Sequence, residues 1–410
     1  MLEQNNNAND LFEKGKSFFE NEQYSEAIEY LLKAKDLNPN DYNIWCLLGN
    51  VYAEIGQPKE AKNYYLKSIE LNPNNVECWQ GLIYLYKSHN KYEKAKEYSL
   101  KAIELNPNDA SLWFTLSDLY KTDALYKEAI DSLHKAIELN PNIALYWTEL
   151  ADIYEKASIY DDNEQCDKSV ETLLKALKLN FSDEDIYYIQ TQLEYLYNKR
   201  GFNHSQIGQY EEAINYFLKA IELNPNSDSW KPLGCIYDEM GNIKEAIETL
   251  SKAGELYPND FDIWFVMGRA YCRNRQYREA IEPLSKATQL NPNDSRGFAM
   301  LGNAYLQNKQ YNESIIAYLK AVKLNPNDYK LWEGLGYAYI MNEQYGDSII
   351  ACLQGLKLNP TDYKLWGLLG NARFSNHEYE LARDAFLEAT RLNPNDEDSW
   401  NMINFIDSRQ

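Results

Sequence analysis

A chain of 410 residues that is 44% hydrophobic is long enough to bury a sizeable core, as two or three domains or as one repeat array. The mean hydropathy is −0.62 and no apolar run approaches the roughly 18 residues of a membrane span, so membrane insertion is not expected. Lys and Arg number 41 against 62 Asp and Glu, a net charge of −21. That balance opposes nucleic acid as the main partner, because such binding relies on Lys and Arg displacing counterions.

The chain opens on Met1-Leu-Glu-Gln-Asn-Asn-Asn, without the basic start and apolar stretch of a secretory signal, and a cytoplasmic protein is expected. Leu11, Gly15 and Phe18 then begin a first helical unit that lacks tryptophan, as an end-capping repeat would. From Pro39 onward a Leu-Asn-Pro-Asn-like punctuation recurs at Pro73, Pro107 and Pro141, each 34 residues after the last. It resumes at Pro225, Pro258, Pro292, Pro326, Pro360 and Pro394, spaced by 33 or 34. All nine tryptophans keep one phase, five or six residues after such a proline, and Phe298 takes the slot in the regular unit that has none.

One unit shows the physics. Pro39 cannot continue the helix before it, and Asn40 or Asp41 can cap the next one. Trp45, Leu48, Gly49 and Tyr52 share one helical face, and Gly56 suits the left-handed residue that ends the helix. Pro58 fits the first turn of a second helix, whose Ala61, Tyr65 and Ser68 line one face up to Pro73. Gly49 and Ala61 let the two helices approach, and Trp45 and Tyr65 are expected to fill the core between them. Such a hairpin cannot bury its own apolar faces and must stack on its neighbours.

This spacing of Trp, Leu-Gly, Tyr, Ala, aromatic, Ala and Pro closely resembles the tetratricopeptide repeat. In one unit the residues are Trp264, Met267, Gly268, Tyr271, Ala280, Leu284, Ala287 and Pro292. The resemblance covers about residues 8 to 394 and implies an all-α, right-handed superhelical solenoid of about eleven helix-turn-helix repeats. The expected organisation is five repeats over 1–182, six over 183–395, and a C-terminal capping helix over 396–410. Pro141 and Pro225 lie 84 residues apart, sixteen more than two units need. Six of these are placed in an irregular insertion near 155–167, around Asp161, Asp162 and Glu164. The rest lengthen a first helix running from about Asp183 to Gln206, and Pro283 is expected to bend a second helix.

Chemical motifs are absent. The six cysteines form no C-x-x-C pair and read as scattered reduced thiols, and none of the four histidines stands in a metal or catalytic pattern. No enzyme, metal or cofactor is expected. The surface that remains is the concave groove, which the resemblance assigns to the first helices. Its groove-facing slots place Asn50, Tyr84 and Phe114 in the N-terminal half. In the other half they place Lys231, Arg269, Arg273, Arg296, Asn303, Lys330, Tyr337 and Asn371. Arg269, Arg273, Lys231, Arg296 and Lys330 suggest a positive strip for an acidic peptide, unless neighbours such as Asp238, Glu239 and Asp262 neutralise it. The carboxylate-gripping set of the heat-shock co-chaperones is incomplete in every triplet of repeats, with Cys46, Gln80 and Phe114 where its Lys belongs. The expected function is a non-catalytic scaffold binding a partner peptide, with a structural, self-assembling subunit as the alternative.

Overall fold

The computed structural model describes residues 2–157 and 163–408. Among these residues there are 23 helices and no strand, so the fold is an all-α repeat solenoid. The chain forms two compact units, Met1–Leu196 and Tyr197–Gln410.

The first unit stacks the hairpins α1 (Leu2–Glu20) with α2 (Tyr24–Leu37) and α3 (Tyr42–Glu54) with α4 (Pro58–Leu71). Next come α5 (Val76–Ser88) with α6 (Tyr92–Leu105) and α7 (Ala110–Thr122) with α8 (Tyr126–Leu139). The helices α9 (Ala144–Ala157) and α10 (Asn163–Ala176) follow, and the residues between them, where the insertion around Asp161 and Asp162 is expected, lie outside the described residues. The switch between units falls inside α11 (Asp183–Gln206), whose 24 residues compare with 13 in α3, α5 or α7.

The second unit continues with α12 (Tyr210–Leu223), α13 (Trp230–Met240) with α14 (Ile243–Leu256), and α15 (Phe261–Arg273) with α16 (Tyr277–Leu290). It ends with α17 (Ser295–Gln307) and α18 (Tyr311–Leu324), α19 (Tyr329–Met341) and α20 (Tyr345–Leu358), α21 (Tyr363–Ser375) and α22 (Tyr379–Leu392), then α23 (Glu397–Asp407). The helix α16 runs on through the buried Pro283. Ile403 and Ile406 of α23 pack on Ala382 and Phe386 of α22.

Local chemistry fixes the helix ends. Asp41, Asp109, Asp260, Asp294, Asp328 and Asp362 each accept the backbone N–H two residues on, which caps the first helix of the hairpin. Between the two helices of a hairpin one residue takes the left-handed conformation, Gly56 at φ 72° and Ala124 at φ 58° in equivalent turns.

The core departs from the expected division of labour. The side chain 16 residues after the small position of each first helix fills the space between helices. Tyr65 stands against Gly49, Phe217 against Gly201 and Phe386 against Gly370. These three are the largest fully buried side chains. Of the tryptophans only Trp79 is buried, and Trp400 is exposed. Instead every indole N–H donates to the carbonyl of the preceding punctuating proline, as Trp45 does to Pro39 at 2.8 Å and Trp264 to Pro258 at 3.0 Å. The indole satisfies an orphan carbonyl at the turn between repeats, so it sits at the rim of the core and not in its middle.

The cysteine expectation is corrected at one pair. Cys46 of α3 and Cys78 of α5 face each other with Cα atoms 5.6 Å apart, a separation that suits a disulfide. The slot after Trp45 faces the slot before Trp79 across two consecutive first helices, which sequence separation conceals. Cys235, Cys272 and Cys352 are free, and burial raises their thiols to about 11, 11 and 12. The Cys166 side chain lies outside the described residues.

Candidate functional site

Within each unit the first helices of successive repeats touch one another, α3 with α5 and α5 with α7 in the first, α15 with α17 and α17 with α19 in the second. They therefore build one continuous face, and side chains about 31 residues apart meet across it.

In the first unit that face is stitched together by its own side chains. Asn50 accepts the Tyr65 hydroxyl at 2.8 Å and donates to Glu77 at 3.4 Å. Phe114 stacks on Tyr146 with centroids 5.1 Å apart. Lys87 pairs with Asp118, and Lys121 with Glu149 at 2.5 Å and Asp152 at 3.3 Å. Tyr84 is the exception, 68% exposed with its ring toward solvent.

In the second unit the expected positive strip is mostly neutralised. Lys231 reaches Asp260 at 2.8 Å and Asp262 at 3.2 Å. Arg269 pairs with Asp238 at 2.7 Å, and Arg273 meets the other oxygen of the same carboxylate at 3.1 Å. Asp238 is fully buried, so these two arginines are its counter-charges. Arg296 turns back on its own helix-capping Asp294 at 2.6 Å and covers Phe261 and Phe265. The guanidinium and the backbone N–H groups at this cap hold the Asp294 carboxyl below its ordinary range.

The remaining four candidates come together. Asn303 of α17, Lys330 and Tyr337 of α19 and Asn371 of α21 line one cavity of about 600 Å³. Its floor is Tyr318, Leu368 and Phe386, and α23 closes one side with Ser399 and Met402. Lys364 and Glu333 also line it, although neither was singled out from the sequence. Lys364 occupies the slot two before Trp366, the slot of Lys330 before Trp332, so the repeat register alone identifies it. Glu333 follows Trp332 directly, where a groove-facing slot also falls.

The electrostatics of this cavity are mixed. Burial pushes the Glu333 carboxyl up, Asp362 adds to the effect, and Lys364 and Lys330 oppose it. Burial raises the Tyr318 phenol far above its ordinary value, so it stays a neutral hydroxyl at the cavity floor. Gly334 leaves room for that ring to reach the cavity, since a side chain there would stand 2.5 Å from it. The site offers amides, two ammonium groups, three carboxyls (Glu333, Asp396 and Asp398) and aromatic area. The Ser399 hydroxyl donates to the Asp396 carboxylate at 2.6 Å on one wall, and among the described residues no three His, Cys, Asp or Glu side chains converge as metal ligands. The histidines make local contacts, such as His134 with the Tyr154 hydroxyl at 3.0 Å.

Family profiles described as tetratricopeptide repeat match residues 42–75, 64–97, 110–143, 146–183, 195–227, 239–304 and 363–396. Profiles described as TPR repeat match 15–56 and 302–342. The chain belongs to the tetratricopeptide repeat family. The cavity is thus made by the first helices of three tetratricopeptide units in register, α17, α19 and α21, with α23 following them. No curated protein matches the chain. Similar solved structures include YrrB, described as a tetratricopeptide protein with an unusual peptide-binding site. It is 19% identical, covers 45% of this chain and 96% of its own, and has a TM-score of 0.42. Cut9 from the APC/C hetero-tetramer Cut9–Hcn1 is 15% identical over 97% of this chain and 96% of its own, with a TM-score of 0.41. Yeast Tom70 is 18% identical over 98% and 95%, with a TM-score of 0.35. At these identities the likeness is one of fold.

Proposed function

We propose that this tetratricopeptide chain is a non-catalytic protein–protein interaction scaffold that takes a partner peptide in the groove of its second unit. The observation that supports it is the meeting of Asn303, Lys330, Tyr337 and Asn371 in one cavity of about 600 Å³, a size suited to a few side chains of a bound segment. The Asn303 and Asn371 amides can both donate to and accept from a peptide main chain, and Tyr337 supplies contact area. Among the described residues Lys330 and Lys364 carry no ion pair, so an acidic residue of the partner gains most beside them, on the side of the cavity away from Asp396 and Asp398. The preference for an acidic segment therefore rests on these lysines, with Arg269 and Arg273 already engaged by Asp238. The raised thiols of Cys235, Cys272 and Cys352 fit a chain without covalent chemistry of its own. No helix among the described residues is long and apolar enough to cross a membrane, and a cytoplasmic setting belongs to the same proposal.

The test compares partner capture by the native chain with capture by a Lys330→Glu/Lys364→Glu variant and by an Asn303→Ala/Asn371→Ala variant. Each variant should keep its helical circular dichroism and lose the same partners. Capture unchanged in both would remove the groove from the function. The alternative, a self-assembling structural subunit, predicts a mass by light scattering that rises with concentration in the native protein.

A further inference from the structure

A second surface, on the opposite side of the repeats from the groove, breaks the pattern of the array. On most second helices the outward slots are anionic. One slot holds Glu97, Asp131, Glu248 and Glu282 in four repeats, but Ile316 and Ile350 in α18 and α20. A second slot holds Glu70, Glu104, Glu138 and Glu255, but Gln289 in α16, Lys323 and Lys357 in the same two helices, and Arg391 in α22. In α4, α8 and α14 a lysine of the second helix pairs with the acid of this second slot, Lys67 with Glu70 at 3.0 Å, Lys135 with Glu138 at 2.6 Å and Lys252 with Glu255 at 2.6 Å. On α18 and α20 those pairs are gone. Lys320 lies over the Phe298 ring at 5.3 Å, Lys357 reaches the Gln354 side chain at 3.5 Å, and among the described residues Lys323 makes no ion pair.

The face left behind is apolar and open. Ile316 is 67% exposed, Ile350 58%, Leu319 45% and Leu353 38%. A cleft of about 450 Å³ runs beside Ile350 and Leu353 to Trp366 of α21. Exposed leucines such as Leu100 and Leu218 share the slot of Leu319 and Leu353, but Ile316 and Ile350 beside them, next to lysines without an ion pair among the described residues, set these second helices of two consecutive repeats apart. Lysines near a helix C-terminus have a dipole role as well, yet that role does not account for isoleucine replacing acid.

We infer that the outer face of α18 and α20 is a docking surface for an acidic segment of another protein that carries bulky apolar side chains. The apolar side chains enter the cleft beside Trp366, and the carboxylates meet Lys320, Lys323 and Lys357. Charge decides the class of partner. The chain carries a net −21, whereas α18 and α20 carry Lys320, Lys323 and Lys357 against Glu313 and Asp347, so an anionic segment is repelled less here. This surface is independent of the groove, so either can fail alone.

The experiment uses the full chain and a fluorescein-labelled synthetic helix with leucines along one face and glutamates beside them. A counterpart with lysine for glutamate, and phosphatidylserine vesicles, serve as comparisons. Fluorescence anisotropy should show the acidic helix binding, weakening with salt, and weakening roughly tenfold or more with Ile316→Glu/Ile350→Glu. Glutamate is native to this slot at Glu248 and Glu282, so that variant should keep its circular dichroism. The lysine counterpart should not bind. Equal binding of the two helices, or unchanged binding to the double variant, overturns the inference. So does loss of binding only in Asn303→Ala/Asn371→Ala, which would put the acidic helix in the groove. Vesicle binding abolished by the double variant without binding of the acidic helix would make the surface a membrane contact. A concentration-dependent dimer abolished by the same variant would make the occupant a second copy.

Discussion

The ring of Tyr318 fills the space that a side chain at Gly302 would need: a methyl group there would stand 2.8 Å from the ring. The same ring meets Gly334 of the next repeat, where a methyl would stand 2.5 Å away. One aromatic residue thus joins two repeats through two glycines, and it is 7% exposed. Gly334→Ala should cost about 1–3 kcal/mol through overpacking. Gly346→Ala, early in α20 with nothing near the added methyl, should instead stabilise by about 0.5–1 kcal/mol. Urea unfolding of the two variants measures the difference, and similar effects would mean that Tyr318 yields easily.

Trp264 gives a different kind of test. Its indole N–H holds the Pro258 carbonyl at 3.0 Å, the Lys286 ammonium lies 4.3 Å from the ring centroid, and the side chain is only half-buried. Trp264→Ala should therefore cost about 1–3 kcal/mol, less than the about 3–5 kcal/mol expected for Phe386→Ala in the closed core. Because stability in a stack of repeats is a near-neighbour sum, the loss should appear as early unfolding of one segment. Denaturation followed by circular dichroism and by the remaining tryptophans reads it. A cost equal to that of Phe386→Ala would return Trp264 to the core.

Arg269 and Arg273 are needed by Asp238. Charge reversal at both would leave a fully buried carboxylate facing two more, and we expect a loss of about 3–5 kcal/mol from the second unit. Asp238→Asn should cost less, since an amide without full charge replaces the ion. Chemical denaturation checks the order. If the doubly reversed chain is as stable as the native one, the two arginines are free for a ligand after all.

Glu333 predicts a pH dependence. Its carboxyl is raised in the folded chain above the ordinary value of 4.5, first by burial, so the folded state binds this proton more tightly than the unfolded state. Its contribution to stability is therefore full below the ordinary carboxylate range and is lost as pH rises toward the raised folded value. Glu333→Gln should flatten the fall in melting temperature across that window and raise stability at neutral pH. A variant whose melting temperature follows pH as the native chain does would show that Glu333 is well solvated in the groove.

Much of the fold was legible because each repeat states its rules locally. Proline stops one helix, aspartate caps the next, and a small residue sits at the closest approach of the pair, as at Pro39, Asp41 and Gly49. Those rules act within a few residues, so 34-residue periodicity determined the element order and the groove register that located Asn303, Lys330, Tyr337 and Asn371. Tertiary structure decided what the charges do. Arg269 meets Asp238 across 31 residues and Cys46 meets Cys78 across 32, because consecutive first helices lie side by side. The periodic pattern fixes which slot faces the groove but not which neighbouring side chain reaches across it. That pairing depends on side-chain length, burial and the spacing of adjacent helices. Among the described residues these leave Lys330 and Lys364 without an ion pair while Arg269, Arg273 and Lys231 are already held.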